Sequence, residues 1–139
     1  MRVLLDTSVL IDNAPLAPEH QYAVSVVSLA ELHFGVLRGA GSPHLGERVR
    51  RLAEVEHRFS PLPVDRRVAL LYAECADAVA RSGRNPRPRS LDLLIAATAR
   101  AAGAMVCTRN LDDFRGLEQY VTVLAPSELH SAPGQPGAG

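Results

Sequence analysis

The stretch "MRVLLDTSVLID" (residues 1–12) decides how the chain folds. Val3, Leu4 and Leu5 form an unbroken apolar run, the pattern of a strand buried on both faces. The run ends on a carboxylate, Asp6, followed at once by two hydroxyls, Thr7 and Ser8. A core strand that finishes on a charge is delivering that charge to the edge of a sheet, where strand ends and helix starts share one rim.

Working outward, the same alternation recurs. "AVSV" (23–26) reads as a second strand and "LAELHFGVLR" (29–38) as a short helix, with Leu29, Leu32 and Val36 at helical spacing. Residues 45–58 predict an amphipathic helix with Leu45, Val49, Leu52 and Val55 on one stripe. "PLPV" (61–64) predicts a short edge strand, held to the edge by its two prolines. Asp65 opens a helix through Arg81, with Val68, Leu71, Tyr72, Cys75 and Val79 facing in. After the loop "RSGRNPRPR" comes "SLDLLIAATARAAG" (90–103), apolar nearly all round, hence buried, and stopped by Gly103. "AMVC" (104–107) and "YVTVL" (120–124) predict two more strands around a turn at "LDDF". Strands separated by helices, each apolar on both faces, specify a parallel sheet covered on both sides.

The chain has 139 residues, enough for about one domain with an ordinary core. Residues 1–130 are read as that domain, and the Pro/Gly-rich 131–139, "SAPGQPGAG", as a disordered tail. Cys75 and Cys107 match no metal or disulfide spacing and read as small core residues. The apolar runs are too short for a signal peptide or a membrane span, so a cytoplasmic protein is expected. Formal net charge is zero. All 15 basic residues are arginine, and the absence of lysine excludes P-loop chemistry.

Four acids stand at the predicted rim: Asp6, Glu31, Asp92 and Asp113. Each has a local explanation. Asp6 is a candidate N-cap, Ser28 and Glu31 fit a capping box, Asp92 suits the start of its helix, and Asp112 and Asp113 are turn residues. Together they fall on one edge, where ligands of open α/β sheets bind. Carboxylates packed together need a counter-charge or must protonate. With oxygen donors and no His/Cys cluster, the fitting cation is Mg²⁺ or Mn²⁺. Thr7 and Ser8 then orient that carboxylate, help bind a phosphate, or cap a helix.

The blocks "LLDTSVLID", "SLAELHFGVLRG", "SLDLLIAATA" and "CTRNLDDF" resemble, in order and spacing, the four motif blocks of the PIN-domain ribonucleases, and within them the VapC-type toxins. The resemblance implies a three-layer α/β/α domain with a central parallel sheet and a metal-dependent endoribonuclease. Such a toxin of a type II pair cleaves single-stranded or structured RNA, such as tRNA or rRNA loops, and inhibits translation. It also implies a VapB-type antitoxin partner and a homodimer, without a membrane. The family's acidic positions fall on Asp6, Glu31, Asp92 and Asp113, with Asp6 and Asp92 holding Mg²⁺ most directly. Asn110 falls on a supporting polar position. The loop before "SLDLL" departs from the family pattern in its excess of arginine and proline. Arg38, Arg84, Arg87 and Arg89 are candidates for holding RNA backbone. Two other readings stay open. A catalytically inactive PIN-fold interaction module would keep the fold without the reaction. An aspartate-based phosphohydrolase would need a second acid where Ser8 stands.

Overall fold

The computed structural model describes residues 1–13 and 15–131. Four parallel strands, β1 (Arg2–Leu5), β2 (Gln21–Ala23), β3 (Met105–Cys107) and β4 (Val123–Leu124), form one sheet in the order β2-β1-β3-β4. Among the described residues, five α-helices cover it: α1 (Thr7–Asp12), α2 (Val26–Arg38), α3 (Leu45–Arg58), α4 (Arg66–Arg81) and α5 (Ser90–Ala101).

Alternation along the central strands creates the three layers. Leu4 and Val106 point into a core shared with Cys75 and Val79 of α4 and Leu93, Ile95, Ala96 and Ala99 of α5. Val3, Leu5, Met105 and Cys107 point the other way, against Val9 and Leu10 of α1, Leu32 of α2, and Leu52 and Val55 of α3. The run Val3–Leu5 therefore serves two cores at once, which is why it does not alternate with polar residues. Both cysteines are fully buried and unbridged.

The helices start and stop where their chemistry dictates. Asp65 accepts the Val68 N–H at the start of α4. Gly103 takes a φ of +65° after α5, letting the Ala104 N–H turn back to the Ala99 carbonyl. On α3, Leu52 and Val55 are buried while Val49 is exposed, so the apolar stripe is narrower than its spacing suggested.

Two expectations shift. The second strand ends at Ala23, and α2 begins at Val26, three residues before the predicted start. Ser25 causes this: its hydroxyl accepts the Val27 N–H and caps the helix, so the β-branched pair Val26–Val27 enters the first turn. "PLPV" forms only a single parallel bridge, Leu62 to Ser25. Pro61 and Pro63 have no N–H on either side of Leu62, which donates to the Val24 carbonyl and accepts the Val26 N–H. The last described element is a 3₁₀ segment, Pro126–Ser131. Apart from Ser131, the expected tail lies outside the described residues. No described helix is long and apolar enough to cross a membrane.

Candidate active site

The sheet order sets the site. Chain passes from β1 to β2 on one side and resumes at β3 on the other, so the carboxyl ends of β1 and β3 flank the topological switch point. In register, Leu5 pairs with Cys107, so the residues that follow, Asp6 and Thr108, emerge side by side.

Asp6 is buried and stands at the N-cap position of α1, yet its side chain caps nothing. Instead its Oδ2 accepts hydrogen bonds from Thr108 Oγ1 at 2.8 Å and Ser8 Oγ at 3.0 Å. Thr108 is itself fixed, since its hydroxyl oxygen accepts the Asn110 N–H at 3.0 Å, and Ser8 Oγ accepts the Arg109 N–H at 3.1 Å. Loop and helix start thus lock one carboxylate from two sides and leave its second oxygen, Oδ1, without a partner among these contacts.

Glu31 lies inside α2, half-buried, and the capping-box explanation does not survive. Ser28 is not the cap but a fully buried residue, its hydroxyl 2.9 Å from Thr7 Oγ1. Thr7 Oγ1 donates to Glu31 Oε1 at 2.7 Å, tying α2 to α1. Burial raises the Glu31 pKa above the usual carboxylate range, Thr7 opposes the rise, and the charge of Asp6 adds to it. Asp92 sits on the third residue of α5. Burial, then the charges of Asp6, Asp113 and Glu31, push it from 3.8 up to about 7, with Arg89 partly opposing. A helix N-terminus favours a carboxylate by less than about 1 kcal/mol. Here desolvation and repulsion outweigh it. The acids of four separate elements therefore share one electrostatic site.

Asp113 is half-buried in a 3₁₀ turn, Leu111–Phe114. Its neighbour Asp112 is turned to solvent and paired with Arg115. Asn110 contributes its backbone N–H, while its side chain is exposed. Among the arginines, Arg89 reaches the site and donates to the Asp112 carbonyl at 2.7 Å. Arg84 lies half-buried toward Glu118, and Arg87 is exposed in the 3₁₀ turn Arg87–Arg89. Arg38 is exposed at the end of α2, about 10 Å along the helix from Glu31.

Sequence reading missed Thr108, the buried partner of Asp6. Its only signal was its place one residue after an apolar strand, the same place Asp6 holds after β1. Among the described residues, no three His, Cys, Asp or Glu side chains already form an ion cage. Oxygen donors whose charges act on one another are the donor type that a Mg²⁺-type ion takes. That ion uses one or two carboxylates and completes its shell with water and substrate phosphate.

A parallel α/β/α domain with acids at its switch point is the architecture of the PIN-type nucleases, and known proteins bear this out. The PIN domain family matches residues 3–118. Ribonuclease VapC5 of Mycobacterium tuberculosis is 38% identical over 128 residues, covering 86% of this chain and 90% of that protein. Ribonuclease VapC4 of the same organism is 36% identical over 121 residues, covering 80% and 88%. The crystal structure of VapBC-5, a member of the VapBC family of toxin-antitoxin systems from M. tuberculosis, superposes with a TM-score of 0.74 at 37% identity, covering 89% of this chain and 96% of that one. The chain belongs to the PIN domain family, and within it to the VapC proteins.

Proposed function

We propose that this protein is a metal-dependent endoribonuclease acting as the toxin of a type II toxin–antitoxin pair. The observation that carries the reading is the burial of Asp92 beside the charges of Asp6, Asp113 and Glu31, which together raise it to about 7 at the β1/β3 switch point. That much unneutralised charge suits a site completed by a cation and a phosphate.

Asp6 and Asp92 would hold the ion, with Asp113 beside them. A bound Mg²⁺ would supply a water of lowered pKa and offset charge on the phosphate. Glu31, raised in pKa and oriented by Thr7, takes the proton of the attacking water. Thr108 and Ser8 keep Asp6 from rotating as charge moves. In-line attack forms a bond from the water oxygen to phosphorus as the bond to the 3′-oxygen breaks. The leaving 3′-oxygen takes a proton from solvent, giving a 5′-phosphate and a 3′-hydroxyl.

The substrate is single-stranded or looped RNA, such as tRNA or rRNA loops, and the consequence is arrest of translation in the cytoplasm. The partner is a VapB-type antitoxin. Exposed apolar side chains beside Glu31 and Thr7, namely Ile11, Phe34 and Leu91, support a protein partner near the site. A homodimer is the proposed assembly. The test is cleavage of total RNA with Mg²⁺, with and without chelator, followed by end mapping. Wild-type protein should cleave, and Asp6→Asn and Asp92→Asn should abolish both cleavage and growth arrest while remaining folded. Arrest by the folded variants would instead establish a non-catalytic interaction module.

A further inference from the structure

We infer that Arg109 holds an RNA phosphate flanking the cleaved one, and that Asp12 parks its guanidinium until RNA displaces it. The inference rests on the ribonuclease reading above and adds a residue to it.

Arg109 is wired into the site through its backbone. Its N–H donates to Ser8 Oγ, and Ser8 donates to Asp6, so its Cα cannot drift from the acids. Its side chain leaves the site and pairs with Asp12, the last residue of α1. Six residues at 1.5 Å each set Asp12 about 9 Å along the helix from Asp6. The guanidinium is therefore out of reach of the scissile phosphate and placed for the next one along the strand.

The surroundings support the assignment. Arg109 and Asp113 line the same open cleft, with Asn110, Leu111 and Asp112. Arg89, by contrast, is held to the Asp112 carbonyl. The Arg109–Asp12 pair is about half exposed, 51% and 42%, so solvent screens it and it contributes little to folding. A phosphate offers the same fork of oxygens as the Asp12 carboxylate. Exchanging one for the other leaves the Ser8–Asp6 connection intact.

Fluorescence anisotropy with a labelled single-stranded oligouridylate, in EDTA so that no cleavage occurs, tests this on the full chain. Arg109→Gln should weaken binding several-fold and reduce the salt slope by about one. Asp12→Asn should tighten it, because the competing carboxylate is gone. The inference is overturned if Arg109→Gln binds as wild type, or if Asp12→Asn weakens binding as Arg109→Gln does. The latter is the mark of a structural strap, and thermal melts of both variants would then fall together. Should Arg109→Gln fail to fold, Arg109→Lys keeps the charge, and the opposite sign expected for Asp12→Asn still decides. Wild-type protein that neither binds nor cleaves RNA removes the ribonuclease reading itself. Wild-type cleavage with an indifferent Arg109→Gln removes only the role of the arginine.

Discussion

Replacing Asp92 by Asn should make the metal-free protein more stable above neutrality while destroying its proposed activity. Burial and three neighbouring acids raise Asp92 from 3.8 to about 7, whereas in the unfolded chain it titrates near 3.8. Between those values the folded protein holds a proton that the unfolded chain has released. Stability therefore falls as pH rises through about 4 to 7. The full shift of about 3 units corresponds to about 4 kcal/mol. Asp92 keeps some contact with solvent, so about half, roughly 2 kcal/mol, is the reasonable expectation. For a domain of this size that is roughly 6–8 °C in Tm. Thermal melts in EDTA should show Asp92→Asn equal to wild type at pH 4 and higher by that margin at pH 8. Adding Mg²⁺ at pH 8 should raise the wild-type Tm more than that of the variant, because a cation relieves the same repulsion. A variant no more stable than wild type at pH 8, or one offset equally at both pH values, would show that the acids do not strain the fold. The claim of a shared charged site would then fail.

Other consequences follow from particular contacts. Thr108→Val removes a buried hydroxyl that holds Asp6 Oδ2 and receives the Asn110 N–H, and should cost about 1–3 kcal/mol in urea denaturation and slow cleavage. Thr108→Ser should restore most of both. Glu31→Gln should leave the fold intact, lower kcat by about 10²–10⁴ and flatten the acid limb of the pH–rate profile, since the group that must lose its proton is gone. A full-strength acid limb in that variant would assign the base elsewhere. Ile95→Ala, at a fully buried position of α5 in the core on the α4 side, should cost about 2–5 kcal/mol without altering the cleavage site.

Much was legible in the linear chain because the signals are local. The 3.6-residue spacing of Val68, Cys75 and Val79, the Asp65 cap, and the doubly buried runs Val3–Leu5 and Met105–Cys107 depend only on near neighbours. So does the placement of Asp6, Glu31, Asp92 and Asp113 at strand ends or in turns and helices near the rim. The start of α2 was misread because two serines, Ser25 and Ser28, offer the same capping chemistry. Only packing decides between them, and Ser28 is claimed by Thr7 on another helix. The arginine-rich loop divided for the same reason: Arg89 turns to the acids while Arg84 turns toward Glu118, a choice set by what each meets in space.

By itself, the sequence determined the order of elements, the two-faced burial of the sheet and which acids are candidates for the site. Tertiary structure alone decided that β3, about a hundred residues downstream, lies against β1, and so that Thr108 clamps Asp6 and Arg109 reaches Asp12. Periodicity and capping are short-range and repeat along the chain. Strand order is a contest among distant surfaces, settled only when both faces of the sheet are covered at once.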